Sequence, residues 1–155
     1  MYEYADENYT IIVPERIEDV FNEGNQLNHC VGNSERYWDR IERRESYIMF
    51  LRKTADPDKP YYTLEVEPGG TVRQKRTNFN RQKADIKKAT DFLRTWQGVI
   101  SKRITETERD LAQKSKVLRM AEFDQLKKDQ TVIRTGELAG QKLVDVLMKD
   151  LLVAA

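Results

Sequence analysis

The sequence predicts an α+β fold, in which a small antiparallel sheet is flanked by helices and followed by a C-terminal helical extension. Runs rich in β-branched and aromatic residues lie in the first half of the chain, and a Pro-Gly-Gly turn at 68–70 joins two of them. From residue 86 onwards, apolar residues recur at helical spacing. With 155 residues, the chain is long enough to bury a core without disulfides.

Three segments have the composition of strands. Residues 9–13 form a short β-branched run, and residues 47–51 are apolar on both faces, which is typical of a central strand. Residues 61–67 alternate between apolar and polar and form the first strand of a hairpin. We place Pro68 at the second position of a type I turn and Gly70 in the left-handed position that follows.

This three-residue loop fixes a hairpin register. It places Glu65 opposite Arg73, on the solvent side, where a salt bridge is expected. The other pairs are Val66 with Val72, Leu64 with Gln74, and Tyr62 with Arg76. One face of the hairpin therefore begins as core and ends with Gln74 and Arg76, which are too polar for burial without partners. We expect these two side chains to edge the core or to line a cleft.

Helices are predicted between the first and second strands and again after the hairpin. One begins at Pro14 and ends near Asn28, and Ser34 caps a second. A third starts at Asn80 and carries an apolar stripe from 86 to 100. Continued to residue 130 it would be ~75 Å long, so it must either break near 101–110 or protrude and find a partner.

The chain is accordingly divided into an α+β domain, residues 1–104, and a helical hairpin, residues 105–155. In the hairpin, one stripe comprises Val117, Leu118, Phe123 and Leu126, and a last helix covers residues 138–152. The hairpin is the expected interface with a partner or with a second copy of the chain.

Charge is unevenly distributed. Residues 1–46 carry eleven acidic against five basic residues, whereas residues 70–103 carry ten basic against two acidic residues. The basic segment is a candidate nucleic-acid contact; the alternative is that the two segments pair with each other. The candidate nucleic-acid-binding residues are Arg73, Lys75, Arg81, Lys83, Lys87 and Lys88.

His29 and Cys30 are the only histidine and the only cysteine. They are the candidate catalytic pair, with Cys30 as nucleophile or His29 as general base. The alternative is a buried cysteine beside a histidine that is hydrogen-bonded to a carbonyl or to Gln74. One His and one Cys match no zinc pattern, and the chain has no Gly-rich phosphate loop, so neither a metal nor a cofactor is expected. A lone cysteine and the lack of a long apolar run predict a cytoplasmic protein without membrane contact.

A second candidate site combines guanidinium, amide and phenol groups. Its members are Arg52, Tyr62, Gln74, Arg76 and Asn80. By strand parity, Arg52 shares a face with Ile48 and Phe50. If Gln74 and Arg76 lie on that face as well, the group suits recognition of a phosphate or carboxylate. The alternative is a polar network that seals the end of the sheet.

Several short motifs, taken in order, resemble the PcfJ-like proteins, which are encoded on conjugative plasmids, phages and related mobile elements. The motifs are His-Cys-Val-Gly, an apolar strand ending in Leu-Arg, Pro-Tyr-Tyr-Thr-Leu-Glu, and Gln-x-Arg, and the resemblance covers roughly residues 8–98. It singles out His29, Cys30, Gly32, Arg52, Thr63, Glu65, Gln74, Arg76 and Asn80. Thr77 stands where the family tends to have glycine. The resemblance implies mobile-element biology and no particular reaction.

The leading functional hypothesis is an accessory protein of a mobile element that acts by binding and does not catalyse. Its partner is a protein or a nucleoprotein complex, and a counter-defence inhibitor is one concrete form. The alternative is a small hydrolase or transferase for a phosphate- or nucleotide-containing substrate, with His29 as base and Arg52 and Arg76 as anion clamps.

Overall fold

A computed structural model of the chain describes residues 1–15, 39–77 and 86–154. In these residues, five strands form one antiparallel sheet, in the order β1-β2-β3-β4-β5, and three helices follow the sheet in sequence. The elements are β1 (Tyr4–Ala5), β2 (Tyr9–Ile12), β3 (Tyr47–Lys53), β4 (Tyr62–Val66), β5 (Val72–Arg76), α1 (Ile86–Arg103), α2 (Glu106–Asp129) and α3 (Leu143–Asp150). The α+β prediction is confirmed, and β3 is central, as its two apolar faces predicted.

The strand register defines two faces of the sheet, because directly opposite residues on antiparallel strands point to the same side. The apolar face carries buried side chains from every strand from β2 to β5, namely Ile11, Met49, Leu51, Tyr62, Leu64, Val66 and Val72. The polar face carries Ile48, Phe50, Arg52, Thr63, Glu65, Gln74 and Arg76, which are also buried. The sheet is therefore covered on both sides.

Helix α1 packs on the apolar face with its predicted stripe. Phe92, Leu93 and Trp96 are buried in the same core cluster as Leu64. The Trp96 Nε1 donates a hydrogen bond to the Tyr2 carbonyl oxygen at 2.7 Å. The indole is thus part of the core and not a surface aromatic.

The long helical segment breaks and does not continue as one protruding helix. Helix α1 ends at Arg103, and α2 begins at Glu106. The Thr105 hydroxyl accepts a hydrogen bond from the Glu108 backbone N–H at 3.2 Å, which caps the new helix. The predicted break at 101–110 is confirmed.

The hairpin between β4 and β5 has the predicted loop but not the predicted turn type. The Gly70 N–H donates to the Glu67 carbonyl at 2.9 Å, so Pro68 and Gly69 are the two central turn residues. Gly69 has φ +93°, which is the geometry of a type II turn. A Cβ at Gly69 would lie 2.9 Å from the Ala112 Cβ, so only glycine allows this close approach of α2.

A β-bulge then changes the register that the loop had fixed. Val66 pairs with Val72 as predicted, but Glu65 pairs with Gln74, and Arg73 is the extra residue. The predicted pairs Leu64–Gln74 and Tyr62–Arg76 are therefore wrong. Because the shift is one residue, Gln74 and Arg76 move from the face of Leu64 to the face of Glu65.

The C-terminal segment packs on the sheet. Phe123 and Leu126 of α2 form a second core with Leu143 and Leu147 of α3. The predicted helix over 138–152 is shorter, because a turn at 136–140 and a bridge between Val132 and Lys142 precede α3. Beyond α3, Leu152 and Val72 exchange two backbone hydrogen bonds of 2.8 and 2.9 Å, which extends pairing beyond the β5 edge.

Only two of the four residues in the apolar stripe predicted for α2 are buried. Phe123 and Leu126 are buried, but Val117 and Leu118 are exposed. Buried Ser115 and Arg119 take the inward positions instead, because α2 faces the polar side of the hairpin.

Some predictions lie outside the described residues. The helix from Pro14 to Asn28, the Ser34 cap and the Asn80 cap fall wholly or largely in residues 16–38 and 78–85. Within the described ranges, no helix combines the length and apolarity needed to cross a membrane.

Candidate functional site

Buried charged side chains on and beside the hairpin form two groups. The ion-pair cluster joins β4, β5, α2 and the segment at residue 40; it comprises Arg40, Glu65, Glu67, Arg73, Arg119 and Glu122. The edge cluster lies where β5 meets the end of α3 and comprises Lys75, Arg76 and Asp150. These two clusters are the candidate functional groups of the described chain.

Glu65 is the centre of the ion-pair cluster. Its carboxylate accepts hydrogen bonds from Arg40 Nε at 2.7 Å and Nη2 at 2.9 Å, which is a bidentate pair. Ser46 Oγ at 2.7 Å and Gln74 Nε2 at 3.2 Å donate to the same group. Burial acts to raise the pKa of Glu65, but the hydrogen bonds and charge of Arg40 outweigh it, so the pKa lies below its ordinary value.

Helix α2 completes the cluster from the other side. Glu122 accepts from Arg73 Nη2 at 2.8 Å, and Arg119 Nη1 donates to Glu67 at 3.2 Å. Among the described residues, the cluster thus sets three guanidinium groups against three carboxylates. Burial raises the pKa of Glu67, and the charges of Arg119 and Arg73 offset this in part.

The edge cluster differs in its ratio of basic to acidic groups. One carboxylate, Asp150, serves two cations: Arg76 Nη1 lies 2.7 Å from Oδ2, and Lys75 Nζ lies 3.4 Å from Oδ1. Asp150 Oδ2 also accepts the Lys75 backbone N–H at 3.0 Å. Burial raises the pKa of Asp150, against the lowering effect of Arg76 and Lys75.

The guanidinium of Arg76 is only partly satisfied. Nη1 donates to Asp150 and to the Lys75 carbonyl oxygen at 3.1 Å. Within the part of the chain that the structure describes, the buried Nε and Nη2 make no hydrogen bond, and neither does Oε1 of Gln74, two residues earlier on the same face. Leaving a buried donor or acceptor unpaired costs about 1–3 kcal/mol, so this arrangement needs a physical reason.

A third buried contact fixes the start of α2. Glu108 accepts hydrogen bonds from the hydroxyl groups of Tyr2 and Tyr47, the latter at 2.9 Å. Burial, together with these bonds to a carboxylate, raises the pKa of both tyrosines above the ordinary value. The N-terminal residues, β3 and α2 are thereby tied together.

The predicted ligand-binding residues are partly brought together. Arg52, Gln74 and Arg76 share the polar face; parity predicted this face for Arg52 only, and the β-bulge moves Gln74 and Arg76 onto it. Tyr62 lies on the apolar face, in the core opposite Leu51, and so does not join them. Asn80 lies outside the described residues.

Of the predicted nucleic-acid-binding residues, some are buried, some are exposed and some lie outside the described residues. Arg73 and Lys75 are buried in the two clusters, so their placement on a basic surface is wrong. The bulge and the packing of α2 and α3 turn them inward. Lys87 and Lys88 are exposed on α1, whereas Arg81 and Lys83 lie outside the described residues.

The candidate catalytic pair, His29 and Cys30, also lies outside the described residues. In residues 1–15, 39–77 and 86–154, no three His, Cys, Asp or Glu side chains are grouped as metal ligands would be. The predicted salt bridge of Glu65 with Arg73 is present at 3.9 Å, but it is buried, and Arg40 is the closer partner.

Sequence reasoning missed four of the six residues of the ion-pair cluster. These are Arg40, Glu67, Arg119 and Glu122; Asp150 of the edge cluster was not singled out either. A usable signal exists for α2, because Arg119 and Glu122 are three residues apart and share a side with Phe123 and Leu126. No local signal marks Asp150, whose partners lie 75 residues away along the chain.

Comparisons with known proteins give one family and one relative. The family model described as PcfJ-like protein matches residues 1–90, which include all five strands. The protein Lin1253/Lin1744 of Listeria innocua serovar 6a, described as uncharacterized, is 38% identical over 74 residues; these make up 48% of this chain and 16% of that protein. No solved structure matches the chain.

Proposed function

The chain belongs to the PcfJ-like protein family, and from that premise we propose that it is an accessory protein of a mobile element that acts by binding a protein partner and does not catalyse. The family resemblance supports the mobile-element setting. The outward face of α2 supports the mode of action.

The observation that carries the proposal is an exposed apolar patch on α2. Val117, Leu118 and Met120 are 57%, 47% and 55% exposed. Val117 is two positions from both Ser115 and Arg119, so it points about 160° away from their buried side. Apolar side chains grouped on an exposed helix face are typical of a protein contact surface.

The rest of α2 holds this patch in place. Glu108, Arg119 and Glu122 bind groups of the sheet, and Phe123 packs in the second core. A partner therefore meets a helix that is already ordered, which lowers the entropic cost of binding. Lys114 and Lys116, exposed beside Val117, favour a partner with an acidic rim.

The test compares two variants of the full chain. Val117→Glu with Met120→Glu places charge in the patch, and Met148→Glu is the matched control, since Met148 is 48% exposed on α3. Each tagged protein is used to capture partners from host lysate, with and without nuclease, and recovered proteins are quantified by mass spectrometry. We expect one stoichiometric protein, nuclease-resistant, that is retained by the control and lost by the patch variant.

Equal recovery by both variants would contradict the proposal, because binding would then not involve the patch. The recovered protein also distinguishes the finer forms of this function. An inhibitor of host defence would recover a defence component and suppress its activity when the two are mixed.

A second candidate function, nucleic-acid binding, is favoured by the outward face of α1. This face carries Lys87, Lys88, Arg94, Lys102 and Arg103, with Asp91 as its one exposed acid. The helix has 18 residues and is ~27 Å long, enough to follow a phosphate backbone. It lies on the other side of the sheet from the polar face, so the two surfaces are tested separately.

Charge reversal at two adjacent lysines tests this second function. We expect Lys87→Glu with Lys88→Glu to abolish DNA binding measured by fluorescence anisotropy, and Lys127→Glu with Lys128→Glu, equally exposed at the end of α2, to retain it. In the wild type, the slope of log K against log salt should be about −0.9 for each phosphate contact. Binding that does not depend on salt, or that both variants lose equally, would exclude α1 as the contact.

A further inference from the structure

The edge cluster contains donors that no group of the described residues accepts. Arg76 is 5% exposed, and its Nη1 is engaged by Asp150 and by the Lys75 carbonyl. Nε and Nη2 make no hydrogen bond to residues 1–15, 39–77 or 86–154 and are shielded from solvent, so bulk water does not satisfy them either. A buried cationic fork of this kind is expected to have an acceptor.

The geometry of the unused donors defines the acceptor. In a guanidinium, the N–H groups on Nε and Nη2 are parallel and lie on one edge of the plane. Two parallel donors match two oxygens of one oxyanion, as in the bidentate pairs of arginine with carboxylate or phosphate. Asp150 cannot fill this role, because its carboxylate already binds Nη1 and Lys75.

The side-chain oxygen of Gln74 distinguishes between a carboxylate and a phosphate as the acceptor. It lies two residues before Arg76 on the same face, which places the two residues ~7 Å apart along the strand. Its Nε2 donates to Glu65, and its buried Oε1 has no partner. Oε1 can only accept, so the ligand must present a donor beside its oxyanion oxygens. A protonated phosphate group provides both, whereas a simple carboxylate such as acetate provides none near neutral pH.

We propose that the Nε and Nη2 edge of Arg76, together with Gln74 Oε1, forms a binding site for a phosphate group, either inorganic phosphate or the terminal phosphate of a small molecule. The site does not depend on the protein-binding function proposed above. Asp150 has a positioning role, because its contact with Nη1 fixes the plane of the guanidinium.

The test measures the stability and the arginine signals of the full chain. In the wild type, the melting temperature should rise with phosphate concentration at constant ionic strength, because a ligand that binds the folded state stabilises it. Acetate and chloride should cause no such rise. Addition of phosphate should also shift one arginine Nε–H resonance in the ¹⁵N NMR spectrum.

Arg76→Lys keeps the charge but removes the fork, and should weaken phosphate binding at least about tenfold and abolish the NMR shift. Arg73→Lys is the matched control: Arg73 is on the same strand and 5% exposed, but its guanidinium is already paired, so the phosphate response should persist. AMP in place of phosphate distinguishes the terminal phosphate of a small molecule from the free ion.

The proposal is overturned if wild-type stability is the same in phosphate and chloride, with no arginine resonance shifted. It is also overturned if Arg76→Lys responds to phosphate as the wild type does. Should Arg76→Lys not fold, Gln74→Leu provides the second measurement; it keeps the fork and should remove the preference for phosphate over acetate. Loss of partner capture in the α2 patch variant leaves all of these outcomes unchanged.

Discussion

Arg73 and Arg76 lie three residues apart on β5, and each is 5% exposed, but their surroundings differ. Arg73 has carboxylates on two sides, in a cluster where guanidinium and carboxylate groups are equal in number. Arg76 shares one carboxylate with Lys75 and keeps two donors unused. The exposed fraction of a buried charged side chain therefore does not indicate its role. The number of its hydrogen-bond partners is the better indicator.

The difference separates a structural role from a binding role. In the ion-pair cluster, charge and hydrogen bonds hold α2 on the hairpin, through Arg119 to Glu67 and Arg73 to Glu122. In the edge cluster, the Arg76 guanidinium has two buried donors without an acceptor among the described residues, which is expected of a ligand-binding site. Four predictions test this contrast.

The largest effect is expected for Glu65→Ala. It removes the carboxylate that binds Arg40, Ser46 and Gln74, and leaves two guanidinium groups buried without it. Loss of one member of a buried pair costs about 3–5 kcal/mol, and we expect the upper end for the free energy of unfolding, measured by urea denaturation. Glu42→Ala, at an exposed position, is the control and should change it by less than about 0.5 kcal/mol. A small effect of Glu65→Ala would mean that the cluster is not structural.

The sharpest comparison is Arg73→Met against Arg76→Met in phosphate-free buffer. Arg73→Met leaves Glu122 without its closest cation and should cost about 3 kcal/mol of unfolding free energy. Arg76→Met also removes two unpaired donors, and Asp150 keeps Lys75, so the net change should be within about 1 kcal/mol. Equal losses in the two variants would remove the distinction between the clusters.

The pH dependence of stability should carry opposite signs at Glu65 and at Asp150. The folded pKa of Glu65 lies below its unfolded value of 4.5, so its contribution is complete above that pH and is lost as the pH falls through the folded pKa. The folded pKa of Asp150 is raised, so its protonation at low pH favours the folded state. Glu65→Gln should therefore flatten the loss of unfolding free energy as the pH falls below 4.5, as followed by urea denaturation at each pH. An unchanged acid profile in this variant would contradict the assignment.

The smallest effect is expected for Gln74→Met, at the junction of the clusters. The variant loses the 3.2 Å hydrogen bond to Glu65 but also removes the unpaired Oε1. These opposing terms should leave the unfolding free energy within about 1 kcal/mol of the wild type, by the same denaturation measurement. A loss comparable to that of Glu65→Ala would show that Gln74 belongs to the ion-pair cluster.

Much of the fold was predictable, because its signals are local. The apolar run of β3, the Pro-Gly-Gly loop and the stripe of α1 each depend on a few neighbouring residues. Length left either a break or a protruding helix, and the Thr105 side-chain cap marks the break. The shared face of Arg52, Gln74 and Arg76 was only a conditional expectation, because the register predicted for the hairpin put Gln74 and Arg76 on the other face.

The sequence by itself determined the α+β class and the family. Only the tertiary structure decided that Arg73 and Lys75 point inward, that Val117 and Leu118 point outward, and that Asp150 reaches Arg76. The physical reason is that a one-residue bulge exchanges the faces of a strand, and a polar partner on a distant helix decides whether a charged residue can be buried. Neither is encoded in the periodicity of one segment.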